Sequence, residues 1–472
     1  MRASAAAMVT VKLRSLLEIV FARHEPLTPG HRRYRSIAHA VLTGAAGKGV
    51  NLLVLAVSVP LSLGCLGVER YGIWIAMTSV LGWLSVADVG LGNGLMNLLA
   101  DARGREREDL AQRYIATTFW GLAVIAATLG SLALPVVEHV DWQYLLNIRS
   151  IAVAAETRTA MLAAVWCFLL ALPLSIVSKV YIGYQQGAPA NAWTAASSLA
   201  ELAALILVTR GGGGLIALTI AVLGTRALVL FVNACYLFGY RRPDLAPTPW
   251  RIDLASLRAI FGVGMLFFLG QMQSLLVFQS DVLIISHFLG PGSITPYSVT
   301  YRLFAYVNVP LQLASPYFLS AFGEAHARGD LAWVRLAFRR LVLASLGWTL
   351  PLLFILGIGY RLIISKWAGA QALPEHALVL WISGWTLLLT VTTPMFIVLT
   401  ATRNFARMVG FAYVAAALNV LLAVLFAQRF GVVGVSAAMV LANTACCVAP
   451  YVLETLRFFR RGVPLRGAVV TQ

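Results

Sequence analysis

Ionisable side chains interrupt long apolar stretches of this 472-residue chain, among them Lys48, Glu201, Arg226, Asp281 and Arg302. Two chemistries are open to charges in such places. Opposite charges at similar depth can pair and offset the cost of burial, whereas an unpaired cation can bind an anionic ligand. Glu201 and Arg226 occupy similar depths on adjacent stretches, so a structural salt bridge is predicted for them. Lys48 has no evident partner and is predicted to bind a ligand.

A second possible pair flanks a Gly- and Pro-containing connection. If both flanking stretches are helices, Asp281 lies about 13 Å before Gly290 and Arg302 about 9 Å after Pro296. The comparable depths predict a resting salt bridge between Asp281 and Arg302. Two interpretations of this bridge stay open. It is purely structural, or an arriving anion competes with Asp281 for Arg302 and so breaks the pair.

Uncharged polar residues lie on the same faces of the predicted helices as these charged residues, so that each face carries a polar stripe. Shifting the first apolar stretch by 223 residues places Lys48 on Gln271 and Ser58 on Asp281. Because lipid-facing surfaces are apolar, the stripes are predicted to face a cleft. Asn, Gln and Tyr side chains there can hydrogen-bond sugars or other polar cargo. The predicted cleft residues are Lys48, Asn51, Gln271, Asp281, Tyr301, Arg302 and Asn308.

In the stretch VADVGLGNGLMNLLADARG, residues 86–104, an acid at position 88 and glycines at positions 90, 92 and 94 lie at the end of an apolar segment. Asp88 is open to two interpretations, as a gate at the mouth of the cleft or as an acceptor of hydrogen bonds from a helix end. Gly90, Gly92 and Gly94 permit close packing and bending of helices. The structural interpretation is favoured for all four residues.

The composition fixes the class of protein that carries these residues. Hydrophobic residues make up 60% of the chain and charged residues 12%, whereas a soluble globular protein is roughly half apolar and a quarter charged. About 20 apolar residues span a bilayer as a helix. The sequence therefore predicts an all-α polytopic membrane protein with about twelve transmembrane helices. These are 38–64, 72–100, 114–137, 160–184, 193–210, 215–239, 260–289, 296–322, 341–364, 377–401, 408–427 and 435–456.

The net charge of +17 reflects topology. Arginines cluster in alternate loops, as the positive-inside rule expects for cytoplasmic loops, so both termini are predicted to be cytoplasmic. No nucleic-acid-binding motif accompanies these cations, and nucleic acid is not expected as a partner. Neither a metal nor a cofactor is expected, since no catalytic motif, phosphate-binding loop or ligand cluster is recognisable.

The chain also repeats itself at an offset of about 220 residues: DARGREREDL (101–110) resembles AHARGDLAWV (325–334), and RGGGGLIAL (210–218) resembles RFGVVGVSAA (429–438). Six duplicated spans keep the same orientation, which predicts two parallel six-helix lobes around a central cleft. The predicted domains are a cytoplasmic amphipathic and basic segment (1–37), an N-lobe (38–240), a cytoplasmic linker (241–259), a C-lobe (260–456) and a basic cytoplasmic tail (457–472).

Residues 71–104 and the segment QSDVLIISHFLGPGSITPYSVTYRLF (279–304) resemble polysaccharide and O-antigen flippases of the multidrug/oligosaccharidyl-lipid/polysaccharide (MOP) exporter superfamily. The resemblance implies a bacterial inner-membrane protein that moves undecaprenyl-diphosphate-linked oligosaccharide from the cytoplasmic to the periplasmic leaflet by alternating access. It also implies that glycosyltransferases and a polysaccharide polymerase are partners of the protein.

Two alternatives stay open. A cation-coupled multidrug exporter of the same superfamily would favour acids in its cavity. A membrane-embedded glycan polymerase or ligase would need a sizeable extracytoplasmic loop with catalytic residues, and none is recognisable in the sequence.

Overall fold

The computed structural model describes residues 29–402 and 405–461, and helices dominate this part of the chain, which contains no strand. The predicted all-α class is therefore confirmed. The α-helices are α1 Pro29–Leu84, α2 Leu91–Gly104, α3 Glu108–His139, α4 Trp142–Leu146, α5 Ile151–Leu174, α6 Ile176–Gly183, α7 Gly187–Arg210, α8 Leu215–Thr219, α9 Thr225–Ala234, α10 Leu254–Leu289, α11 Ile294–Ala305, α12 Val309–Ala327, α13 Leu331–Trp367, α14 His376–Ala401, α15 Phe405–Asn443 and α16 Ala449–Arg461.

Nine stretches within the described residues are long and apolar enough to cross a membrane, so the chain is a multi-pass membrane protein. They do not map one to one onto the twelve predicted spans. The stretches Gly47–Asp88 and Arg407–Arg460 each contain a bend, at Gly67 and Gly431 respectively, and together cover most of four predicted spans. The segment from Ile294 to Ala327 is not among the nine. The count of twelve therefore stays a prediction.

Residues with a positive φ angle recur at the offset of about 220 residues that the sequence repeat shows. Left-handed backbone occurs at Gly67 and Gly290, at Glu106 and Gly329, at Asn147 and Gly369, and at Gly212 and Gly431. The members of each pair are about 220 residues apart. Such residues end or redirect helices, so the chain turns at corresponding places in its two halves. This agreement supports the repeat independently of residue identity.

The stretch 86–104 packs against the first turns of α10. A Cβ atom at Gly94 would overlap the carbonyl oxygen of Ile260, and a Cβ at Gly90 would overlap that of Gly264. Two helices approach this closely only where side chains are absent. Asp88 lies beside this contact, and its Oδ1 accepts a hydrogen bond from the Gly92 amide at 3.0 Å. These contacts agree with the structural interpretation of the stretch.

Gly94→Ala is expected to destabilise the protein, and Gly262→Ala is its matched control on the facing helix. Alanine favours a helix by about 1 kcal/mol over glycine, but overlap in a packed interface costs about 1–3 kcal/mol. A Cβ at Gly262 meets nothing within 4 Å, so this variant should be neutral or slightly stabilising. Thermal unfolding in detergent measures both. Equal midpoints for the two variants would contradict close packing of α2 on α10.

The segment that joins the halves is anchored on α3. Arg242 donates to Glu108 at 3.2 Å and to Asp244 at 2.8 Å, and the hydroxyl of Tyr184 donates to Glu108 at 2.7 Å. The hydrogen bond from Arg242 holds the pKa of the Asp244 carboxyl below its usual range. The connection between the halves is thus held against the start of α3 by side-chain hydrogen bonds.

Candidate functional site

The N-terminal and C-terminal halves of the chain contact each other through different helices at the two ends of the bundle. We call these ends the Gly67 end and the Arg105 end, after a residue that lies at each. At the Gly67 end, the Trp367 indole donates to the carbonyl of Ala56 at 2.7 Å, and the Thr295 hydroxyl donates to the carbonyl of Val68 at 2.7 Å. At the opposite end, which holds Arg105, α2 meets α10 through the glycine contact. The contacts of α1 with α11 and α13 thus lie at the Gly67 end, whereas α2 and α10 also meet near the Arg105 end.

Lys48 lies on α1 and is exposed. Within the described part of the chain it forms no ion pair. Leu53, which is 69% exposed, lies about 140° around the helix from Lys48. The helix thus has an exposed apolar face, suited to lipid, and a separate exposed cationic face. Asn51, next to Lys48 on the predicted stripe, is held by α7, since its Oδ1 accepts from the Ser198 hydroxyl at 2.6 Å.

Arg302 lies on α11 and is half-buried. It belongs to none of the ion pairs among the described residues, and it interacts electrostatically with Tyr71 and Tyr306. Among the described residues, the buried hydroxyl group of Tyr306 has no hydrogen-bond partner, whereas the hydroxyl group of Tyr71 interacts with Ser298. A guanidinium outside the described ion pairs, within electrostatic range of tyrosine hydroxyl groups, can bind an anion, because guanidinium and hydroxyl groups both donate hydrogen bonds.

The predicted salt bridge between Asp281 and Arg302 is wrong. Asp281 is fully buried, and its carboxyl oxygens accept from Asn419 Nδ2 at 2.9 Å and from the Tyr297 hydroxyl at 3.3 Å. Comparable depth brought the two residues to the same level but did not fix the rotation of their helices. Asp281 is hydrogen-bonded to Asn419 of α15 and to Tyr297 of α11, while Arg302 interacts electrostatically with Tyr71 and Tyr306.

The other predicted cleft residues have different surroundings. Asn308 is buried, and its amide group donates to the Thr386 carbonyl at 3.2 Å and accepts from the Thr390 hydroxyl at 2.9 Å. Tyr301 stacks on Tyr297 with ring centroids 6.2 Å apart. Gln271 is half-buried. The structure therefore leaves Lys48 and Arg302 as the accessible cations and ties Asn308 and Asp281 into helix contacts.

The predicted pair of Glu201 and Arg226 is confirmed, with Arg226 Nε 3.1 Å from Glu201 Oε1. The carboxylate also accepts from the Ser197 hydroxyl at 2.9 Å. Lys179, on α6, donates to Asn93 Oδ1 at 2.8 Å. Among the described residues, no three His, Cys, Asp or Glu side chains lie close enough to hold a metal ion.

Sequence reasoning missed Tyr71, Tyr297, Tyr306 and Asn419 as partners of the central charges. Asn419 is the one polar residue in the run AAALNVLLAV of α15, and an isolated amide in an apolar helix is a signal for a buried hydrogen bond. Tyr71 and Tyr306 carry no such signal, because their neighbours are already aromatic or polar.

Comparisons with known proteins agree with this architecture. No family model matches the sequence. A curated protein of Salmonella typhimurium, provisionally named as an O-antigen transporter, is 25% identical over 282 residues. A provisionally named O-antigen export protein of Yersinia pseudotuberculosis is 22% identical over 281 residues. Each alignment covers 57% of this chain and 62% of the relative, so the match spans less than two thirds of either relative's length.

Solved structures match over nearly the whole chain. An inward-facing multidrug resistance MATE family transporter of the MOP superfamily matches with a TM-score of 0.72 and 13% identity, covering 96% of this chain and 99% of that one. The lipid II flippase MurJ, in an inward closed conformation, matches with a TM-score of 0.65 and 14% identity, covering 89% and 90%. The chain therefore has the fold of MOP superfamily transporters, and its resemblance to the O-antigen transporters is confirmed.

Proposed function

We propose that this protein is a flippase for undecaprenyl-diphosphate-linked oligosaccharide, working by alternating access between two six-helix lobes, residues 38–240 and 260–456. The observation that carries the proposal is which charged residues of the predicted cleft have partners inside the protein. Lys48 and Arg302 are accessible and form none of the described ion pairs, whereas Asp281 and Glu201 each have polar partners inside the protein. A cleft of this kind suits an anionic head group.

The two cations lie at different depths, which suggests an order of contact. Lys48 is about 28 Å from the bend at Gly67, and Arg302 is about 12 Å from the start of α11 at the same end. A diphosphate is too small to contact both at once. Cargo that enters from the Arg105 end would meet Lys48 first and Arg302 later, while Asn51, Gln271 and Tyr301 supply hydrogen-bonding groups for sugars.

The direction of transport follows from the predicted topology. Arginine-rich loops mark the Arg105 end as cytoplasmic, so the cargo would move from the cytoplasmic to the periplasmic leaflet of a bacterial inner membrane. The polyprenyl tail would stay in lipid, because only the charged head group and the glycan have a large unfavourable free energy of transfer into hydrocarbon. Glycosyltransferases would supply this cargo, and a polymerase would consume it.

Transport of a cationic drug is the alternative on the same fold. Such a cargo would need an accessible acid without an internal partner in the cleft. The partners of Asp281 and Glu201 argue against it, and the names of the two curated relatives favour a glycan cargo.

Flipping in proteoliposomes tests the proposal. The probe is a polyprenyl-diphosphate-linked oligosaccharide in both leaflets, with a membrane-impermeant glycosidase outside. Vesicles that contain the protein should lose nearly all of the glycan, and protein-free vesicles about half. The matched control is the same glycan on a neutral polyprenyl ether without diphosphate, which should be flipped at least tenfold more slowly. Equal rates for the two lipids would refute recognition of the diphosphate, and no flipping of either would refute the function.

A further inference from the structure

A cavity of about 300 Å³ lies inside the C-terminal half of the chain, between α10, α14, α15 and α16. Its lining follows α14 from Trp385 to Phe396, a distance of about 16 Å along the helix axis. Ligand-binding cavities in proteins range from about 300 to 1,000 Å³. This cavity is therefore large enough for a small ligand and too small for a whole oligosaccharide.

Three polar side chains in the wall of the cavity have groups that no described hydrogen bond uses. Asn443 is 6% exposed, and its Nδ2 donates to the Met439 carbonyl of its own helix at 2.9 Å, so its Oδ1 remains an available acceptor. Gln273 and Thr393 also line the cavity, and their side chains form none of the described hydrogen bonds. In contact with hydrocarbon these groups would stay unsatisfied, at a large cost in free energy. The wall is therefore poorly suited to a lipid tail.

The rest of the lining favours a neutral ligand with an apolar face. None of the described lining residues carries a charge, so a diphosphate or a cationic drug would be buried there without a counter-charge. Phe278 and Trp385 line one end, and the ring of Phe278 packs edge to face against Tyr301 and Trp385, with centroids 5.5 and 6.0 Å apart. The C–H groups on one face of a pyranose ring suit the negative face of an aromatic ring, and its hydroxyl groups suit amides and hydroxyls.

The N-terminal half has no counterpart to the three polar side chains. The repeat has offsets of 223, 222 and 219 residues for the helices concerned, given by the positive-φ pairs Gly67 and Gly290, Asn147 and Gly369, and Gly212 and Gly431. At these offsets the counterparts of Gln273, Thr393 and Asn443 are the residues Val50, Ala171 and Gly224, respectively. All three counterparts lack a polar side chain. The fold itself therefore does not require polar groups at these places.

We propose that this cavity binds one neutral sugar residue of the glycan, with its hydroxyl groups toward Gln273, Thr393 and Asn443 and one C–H face against the aromatic end. The inference rests on the proposed function and adds to it a recognition site for the glycan, separate from the cation at Arg302. Changes in the cavity should therefore weaken only the binding of cargo that carries a glycan.

Lipid binding to the full-length protein in detergent tests the proposal with two probes. One is a polyprenyl-diphosphate-linked oligosaccharide that the wild-type protein flips, and the other is polyprenyl diphosphate without glycan. Asn443→Leu should raise the Kd for the glycan lipid at least fivefold, the loss expected for about one hydrogen bond, and leave the Kd for the glycan-free lipid within twofold of wild type. Because Asn443 donates only within its own helix, this variant orphans no donor on another helix.

A second variant and a matched control keep the test independent of one substitution. Ala412→Leu fills part of the cavity without removing a polar group, and it should have the same effect as Asn443→Leu. Thr444→Val is the control, because Thr444 is exposed and its hydroxyl donates to the Val440 carbonyl of its own helix at 2.7 Å. It should leave both Kd values within twofold of wild type.

Cysteine protection locates the bound sugar directly. In a background with the five native cysteines replaced by alanine, Thr393→Cys places a thiol in the wall of the cavity. The glycan lipid should slow maleimide labelling of this thiol at least fivefold, and the glycan-free lipid should not.

Wild-type affinity of both cavity variants for the glycan lipid would overturn the proposal. So would an equal loss of affinity for the two lipids, or equal protection of position 393 by them, since the polyprenyl tail and not the sugar would then account for the effect. A wild-type protein that binds and flips neither lipid would refute the proposed function together with this inference. The failure of the inference alone is thus distinguishable from the failure of the proposed function.

Discussion

Arg302→Gln is expected to reduce glycan flipping at least tenfold while the protein still inserts at its normal level. Arg302 belongs to none of the described ion pairs, so its removal strands no buried carboxylate. The variant instead removes the cation that interacts electrostatically with Tyr71 and Tyr306, where the head group would bind. A charge-assisted hydrogen bond is worth about 1.5–3 kcal/mol, which corresponds to roughly ten- to a hundredfold in affinity.

The controls for this prediction separate charge from geometry. Arg302→Lys keeps the charge but loses the planar fork that matches phosphate, so it should fall between wild type and Arg302→Gln. Arg361→Gln removes an exposed arginine that donates only to its neighbour Tyr360 within the described residues, and it should flip the glycan at the wild-type rate. Flipping by Arg302→Gln within twofold of wild type, measured in proteoliposomes at matched protein content, would exclude Arg302 as a cargo contact.

Depth along the membrane was predictable from the sequence, whereas the rotation of each helix was not. Glu201 and Arg226 pair as predicted because their helices α7 and α9 pack directly against each other, which leaves little choice of partner. Asp281 and Arg302 also share a level, but each helix there has several neighbours. The partner Asn419 is 138 residues away in the chain, and no spacing within one segment indicates such a contact.

The glycines and the repeat were predicted better than the binding residues. A positive φ and a close helix approach constrain residue type directly, so Gly90, Gly94 and the bends at Gly67 and Gly290 leave a trace in the sequence. A hydrogen bond from Asn308 to the Thr386 carbonyl leaves no comparable trace, because any helix offers carbonyl oxygens. Of the residues on the predicted polar stripes, Asp281 and Asn308 are buried in contacts between helices, whereas Lys48 is exposed. The stripes therefore did not separate residues that hold helices together from residues left accessible.

The second large effect is expected at Asp281, on stability. Asp281→Ala would orphan two buried donors, Asn419 Nδ2 and the Tyr297 hydroxyl. Each orphaned donor costs about 1–3 kcal/mol, so we expect a marked fall in the thermal midpoint in detergent and in the amount of protein in the membrane. Asp281→Asn should be milder, because its amide still accepts from one partner and can donate to the hydroxyl of the other.

Replacing Asp281, Asn419 and Tyr297 together with apolar residues tests whether the Asp281 carboxyl group only joins helices or is also needed for transport. Replacing all members of a buried polar cluster with apolar groups of similar shape is often nearly neutral. The triple variant Asp281→Leu, Asn419→Leu, Tyr297→Phe should therefore recover at least half of the stability lost in Asp281→Ala. If the carboxyl group serves only to join α10, α11 and α15, glycan flipping should recover with stability. A triple variant as unstable as Asp281→Ala would contradict the anchor role. A stable triple variant that fails to flip the glycan would also contradict a purely structural role, because transport would then need the carboxyl group itself.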